Sequence, residues 1–285
     1  YIANPKKARE TANEFIESKI NGIATYERSY TELQQKNKIT IPIDNSKKII
    51  SIFPSSDDEY RFLSGDWGAP VVNSQVDEIF DFISSLDPKK YQCVIRMHPN
   101  MKSLKKELLI SYKKLEKLTS HCFVLDPYDS TSTYTLIEES DVVMCFCSMV
   151  SVEANYLRKP VINIGGAPYY KLPIAHFVKN GRDAAAVINS NKISIKPKRS
   201  SIIWMYYMWK YSDKNPYIYP VDEIMPKRGE EFSISIPQPH LLRLLAGPAR
   251  TEIQLRLPVK KNINFYLGLF KSFLDTVFNK FSIKS

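Results

Sequence analysis

The stretch Asp141–Gly166, DVVMCFCSMVSVEANYLRKPVINIGG, decides the fold. After Asp141, VVMCF forms an unbroken apolar run of β-strand type. SMVSVEANYLRK then reads as a helix that opens at Ser148 and stops at Pro160. PVINIGG returns to a β-branched run and closes on Gly165-Gly166. Neither strand alternates apolar with polar residues. Continuous apolar strands joined by a helix belong to a parallel sheet covered on both faces.

The same alternation continues upstream. HCFVL ends at Asp126-Pro127 and leads into the short helical segment STYTLIEES. QCVIRM is stopped by His98-Pro99 and followed by a lysine-rich helix over roughly 103–118. KKIISIF ends at Pro54, and a loop with Gly65, Gly68 and Pro70 follows. SQVDEIFDFISSL comes next, with Val76, Ile79, Phe80, Ile83 and Leu86 on one helical face. Residues 47–166 thus alternate strand and helix five times, which predicts an α/β, doubly wound, Rossmann-like parallel sheet. Such sheets bind ligands beyond the carboxyl ends of their strands. That rule selects five turns: Ser55-Ser56, His98-Pro99, Asp126-Pro127-Tyr128, Cys147-Ser148 and Gly165-Gly166.

Three segments follow from these patterns. Residues 1–46 carry ARETANEFIESKI, with Ala8, Ala12, Phe15, Ile16 and Ile20 near helical spacing, then the polar TELQQKNK; they read as a helical connector rather than core. Residues 47–200 hold the sheet, and GRDAAAVINS adds one further helix. Residues 201–285 form a basic, aromatic extension. The chain has 285 residues and a net charge of +10. From His240 to Ser285 eight Lys and Arg stand against two acids, so +6 of that excess lies in the tail. Within it, Tyr266, Phe270, Phe273, Val277 and Phe281 form one helical stripe over 263–283, suited either to an anionic membrane surface or to packing on another domain.

Composition narrows the chemistry. Hydrophobic content of 44% and charged content of 25% are those of a globular chain. No run of about 18 apolar residues occurs, so no transmembrane helix is expected. Cys93, Cys122, Cys145 and Cys147 all sit in apolar β-like runs and read as small buried hydrophobes in a reducing cytoplasm. No Cys-x-x-Cys or paired His motif occurs, so neither a metal nor a resident cofactor is expected. No P-loop or G-x-G-x-x-G occurs, which removes support for NTP hydrolysis and nicotinamide chemistry. No nucleic-acid recognition motif accompanies the basic tail.

Within the selected turns, His98 at a strand end can donate to a phosphate oxygen. Ser148 can cap the helix it opens, where free N–H groups attract phosphate. Ser151 and Glu153 occupy that first turn, and Glu153 suits a ribose diol. The same residues are also what an ordinary helix start prefers. Ser55 and Ser56 suit phosphate contacts, whereas the neighbouring Asp57, Asp58 and Glu59 would repel one.

Three segments, IISIFPSSDDEY, YQCVIRMHPN and DPYDSTSTYTLIEESDVVMCFCSMVSVEANYLRKPVINIGG, resemble in order and spacing the C-terminal domain of the capsule polysaccharide biosynthesis proteins, glycosyltransferases of the GT-B type. ANEFIESKINGIATY resembles that family's lead-in helix. The resemblance implies a nucleotide-sugar donor, CMP- or UDP-linked, with His98, Ser148 and Ser151 at its phosphate and Glu153 at its ribose. It implies transfer of a sugar such as Kdo onto a glycolipid or polysaccharide acceptor, without a metal, in the cytoplasm; the membrane reading of the basic tail would add contact with the inner membrane surface. It places the acceptor domain, and with it the general base, before Tyr1. One position departs: Cys147 stands where the family commonly has glycine. A sugar-nucleotide 2-epimerase and a non-catalytic assembly or export partner of the same fold are the competing expectations.

Overall fold

The computed structural model describes residues 4–23, 31, 34–56, 72–103, 106–212, 231–237 and 252–258, with side chains for those up to residue 208 other than 102 and 103. The chain divides into two compact units, 1–211 and 212–285.

In the first unit, α1 (Pro5–Ile20) begins with Pro5 and is capped by Asn4, whose side chain accepts the Lys7 N–H at 3.0 Å. The sheet strands are β1 (Lys48–Phe53), β2 (Tyr91–Arg96), β3 (Cys122–Leu125), β4 (Val142–Cys145), β5 (Val161–Ile164) and β6 (His176–Val178). The helices between and after them are α2 (Gln75–Ser84), α3 (Lys106–Leu118), α4 (Thr133–Glu139), α5 (Val150–Tyr156), α6 (Gly181–Asn189) and α7 (Lys198–Ser212). All strand pairs are parallel, in the order β3-β2-β1-β4-β5-β6. The order reverses between β1 and β4, the switch point of a doubly wound fold. The sheet expected over 47–166 is therefore present, with β6 as a sixth strand.

The apolar runs lack alternation because both faces are covered. Ile50, Ile52, Cys93, Ile95, Met144 and Ile162 pack on one face against α2, α3 and α6. Ile49, Phe53, Val94, Val143, Cys145 and Val161 pack on the other, with Tyr134, Leu136 and Ile137 of α4. Two polar side chains interrupt this second face. Ser51 meets Ser140 at 2.6 Å between hydroxyls, and Asn163 is fully buried in β5.

One sequence expectation is corrected here. The helix expected to be a connector is core: Ala12, Phe15 and Ile16 of α1 are buried with Val152 and Tyr156 of α5, Tyr169, and Met205 of α7. Its helical face is narrow, but burying Phe15 alone contributes about 2 kcal/mol. The boundary expected at residue 200 likewise falls inside α7, where Ser201 and Met205 are buried.

In the second unit, β7 (Glu231–Pro237) and β8 (Glu252–Pro258) form an antiparallel pair, from Glu231 opposite Pro258 to Pro237 opposite Glu252. The amphipathic helix expected over 263–283 lies outside the described residues. None of the described helices is long and apolar enough to cross a membrane.

Candidate functional site

A cleft of about 350 Å³ opens at the carboxyl ends of β1, β2 and β4, on the switch point. His98, Ser148, Ser55 and Glu153 all line it, although the chain separates the first and last of them by nearly a hundred residues.

Each is held by its own local geometry. After β2, His98 accepts the Asn100 N–H on Nδ1 at 3.2 Å. In the neutral ring this leaves the proton on Nε2, so the imidazole is set as a donor there. After β4, Ser148 Oγ accepts the Val150 N–H at 3.3 Å. The helix cap itself is Met149, whose side chain makes no capping bond. This corrects the expectation that Ser148 is the cap residue. The amides of Ser148 and Met149 have no hydrogen-bond partner among the described residues. Glu153, 5% exposed, accepts from the Tyr134 hydroxyl on Oε2 at 3.2 Å.

The serines expected at a phosphate separate into two groups. Ser148 is on the cleft wall. Ser55 is also on it, but its hydroxyl donates to the Phe146 carbonyl, and Gln75 brackets its backbone with two 3.0 Å bonds. In this arrangement Ser55 offers a ligand an acceptor and no proton. Ser56 and Ser151 are fully buried and do not line the cleft. The Ser151 hydroxyl instead donates inward to Asn163 Oδ1 at 3.3 Å. Two of the expected direct phosphate contacts are thereby corrected: both serines are buried away from the cleft, and the Ser151 hydroxyl, on the first turn of α5, serves the core below it.

Cys147 also differs from the other cysteines. Cys93, Cys122 and Cys145 are buried as expected, whereas Cys147 is half-buried on the cleft wall. Burial pushes its thiol up to about 12. Its φ is 50°, in the left-handed region where a β-carbon costs about 1–2 kcal/mol. That backbone supplies a physical reason for glycine at this position.

Two cations of the cleft escaped the sequence. Lys19, 6% exposed, reaches it from α1. Arg96, 4% exposed, reaches it from the end of β2 and donates to the carbonyls of Asp126 at 2.6 Å and Asp129 at 2.9 Å, holding the loop after β3. Burial lowers the Arg96 pKa, while Asp129 and Asp126 act against that shift. Burial raises Asp129, yet bonds from Thr131 and Thr40 together with Arg96 leave it below the usual carboxylate value. Among the described residues no group of three or more His, Cys, Asp or Glu could hold a metal ion. The cleft thus offers N–H and O–H donors with buried cations, and a carboxylate on the α5 wall: the chemistry of an anion joined to a diol.

The sequence profile of the capsule polysaccharide biosynthesis protein family matches residues 9–174, more than half of the chain. The chain belongs to that family. The match covers α1 from residue 9 onward, all of β1–β5 and every cleft residue named above, so the cleft of this capsule polysaccharide biosynthesis protein lies wholly in the family region. Among solved structures it is similar to two Thermosulfurimonas dismutans KpsC structures. The beta Kdo 2,7 transferase is 18% identical with a TM-score of 0.40, over 71% of this chain and 54% of that one. The beta Kdo 2,4 transferase is 11% identical with a TM-score of 0.44, over 71% and 56%. Anabaena Alr3699/HepE in complex with UDP and glucose is 15% identical with a TM-score of 0.36, over 59% and 44%. The chain spans about half the length of these structures. No curated protein matches it.

Proposed function

We propose that the α/β unit is the donor-binding half of a GT-B glycosyltransferase that builds surface polysaccharide, and that its cleft takes a nucleotide sugar. The observation that carries this reading is the convergence of His98, Ser148 and Glu153 in one cleft at the sheet's switch point. The His98 Nε2–H, the Ser148 hydroxyl and the amides of Ser148 and Met149 meet the donor phosphate. Glu153, steadied by Tyr134, accepts from the ribose diol. As the sugar departs, negative charge grows on the leaving phosphate, and fixed donors in a sheltered cleft stabilise it without reorganising. The buried charge of Lys19 acts in the same sense.

These cations suit a CMP- or UDP-linked donor that carries an acidic sugar of the Kdo type. The acceptor, a glycolipid or polysaccharide, and the general base belong to a second domain facing the cleft. Nucleotide sugars and a lipid-linked acceptor place this reaction in the cytoplasm at the inner membrane surface.

Calorimetric titration of the complete protein with CMP and UDP tests the reading. His98→Ala removes a charge-assisted bond of about 1.5–3 kcal/mol, so affinity should fall about tenfold to a hundredfold. Wild-type affinity in that variant would refute the assignment.

A further inference from the structure

We propose that Asn163 is a positioning residue that holds the Cys147–Met149 turn in its binding shape; this rests on the nucleotide-sugar reading above. Asn163 lies in β5, is fully buried, and touches no ligand space: it does not line the cleft. A primary amide in an apolar strand has a desolvation cost unless its donors and acceptor are used. Here they are used on the turn.

Its Oδ1 accepts the Cys147 N–H at 3.2 Å and the Ser151 hydroxyl at 3.3 Å, one donor from each side of Ser148. Its Nδ2 donates to the Gly165 carbonyl at 3.0 Å and lies 3.4 Å from that of Ile164. This set fixes the amide's orientation. Rotating it would face Nδ2 against the Cys147 N–H and Oδ1 against two carbonyls. Tyr169 completes the clamp. Its hydroxyl donates to the Ser148 carbonyl at 2.7 Å and lies 3.4 Å from Asn163 Oδ1. The peptide unit before Cys147 and the one after Ser148 are therefore both tied to the β5 end of the sheet, one on each side of the Cys147–Ser148 peptide.

The clamp has a definite task. Cys147 sits at φ 50°, a conformation that residues with a β-carbon avoid. The bond from its N–H to Asn163 opposes relaxation to negative φ. Relaxation would rotate the following peptide and carry the Ser148 hydroxyl and the two unpartnered amides away from the cleft. Asn163 thus acts on the ligand through Cys147 and Ser148.

The test uses the complete protein, with CMP and UDP as probes, and measures affinity and melting temperature together. Asn163→Ala should weaken nucleotide binding about tenfold, the loss of roughly one buried hydrogen bond's positioning. Adding Cys147→Gly to that variant should restore most of the affinity, because glycine takes positive φ without the β-carbon's cost. The melting temperature should stay low in the double variant, since the hole in β5 remains. A residue that only fills the core would show no such rescue. Tyr169→Phe keeps the ring and its packing, and it should bind about threefold to tenfold more weakly with little change in melting. It serves as the reporter should Asn163→Ala not fold. Tight nucleotide binding by wild type with equal affinity in both single variants, or no rescue in the double variant, overturns the clamp alone. Absence of nucleotide binding in wild type overturns the donor-site reading and the clamp with it.

Discussion

Replacing Gly181 by alanine should damage the fold without touching the cleft. Gly181 opens α6, and its N–H donates to Glu78 Oε2 at 2.7 Å across to α2. A β-carbon there would lie 1.9 Å from the Glu78 carbonyl oxygen, 2.9 Å from its carbon and 3.0 Å from the Phe82 nitrogen. These neighbours are helix backbone and have no rotamer to escape into. The two helices must separate by roughly 1 Å, which places the cost at the upper end of overpacking, about 3 kcal/mol. The alanine gains only about 0.4–1 kcal/mol from a less free unfolded chain. Losing the bond to Glu78 adds about 1 kcal/mol to the cost. The net loss of about 3 kcal/mol corresponds to a melting temperature about 6–12 °C lower for a unit of this size. Thermal melts with urea titration at constant slope would measure it. Nucleotide affinity well below the melting range should stay within about twofold, because α6 lines no part of the cleft. A melting temperature within about 2 °C of wild type would refute the argument and mean that α2 and α6 have room to part.

Two further outcomes are expected. Lys19→Met keeps the alkyl stem and removes the charge, so nucleotide affinity should fall about tenfold and lose part of its salt dependence; unchanged affinity would take α1 out of the site. Burial pushes the His121 imidazole below its usual value, with Lys47 adding to the shift and the Ile83 backbone and Asp87 opposing it. A depressed folded value means that protons bind the unfolded chain first. Stability is then full above about pH 6.5 and is lost as pH falls through the folded value. Denaturation midpoints at about pH 7.5 and 5.5 should differ less in His121→Gln than in wild type, and an equal difference would show that His121 is not the group responsible.

Much of the fold could be read from the chain because β1, β2, β4 and β5 are buried on both faces and their apolar runs have no competing period. The turns were legible for the same reason: once strand ends are known, the switch-point rule locates the residues at the mouth of the sheet, and His98 and Ser148 do line the cleft there. What escaped were residues whose roles are set by partners far along the chain. Arg96 is one charge in an apolar strand, and its carbonyl partners at Asp126 and Asp129 lie some thirty residues on. Asn163 likewise stands alone in PVINIGG. A lone polar residue in a strand buried on both faces is itself a signal, because it must be satisfied by something. Lys19 and α1 were missed for another reason. Ala8, Thr11 and Ala12 make a weak apolar stripe by hydrophobicity, yet all three are buried, and only the packing reveals the helix as core. Ser56 and Ser151 show the converse: residue type and position suited a ligand, but both are fully buried, and the Ser151 hydroxyl faces inward to Asn163.

The strand order also sets a timetable for synthesis. β1 pairs on one side with β2, yet its other edge waits for β4, about 90 residues later, as the pairing of Ile50 with Val142 shows. At about 5–20 residues per second on the ribosome, that edge stands open for roughly 5–20 s. During this interval Ile50 and Ile52 belong to an unpaired, strongly apolar strand, the kind of edge that recruits other chains. Yield from rapid, crowded expression should therefore be limited by the delay before β4 emerges, and slower synthesis at lower temperature would lessen the number of open edges present at once.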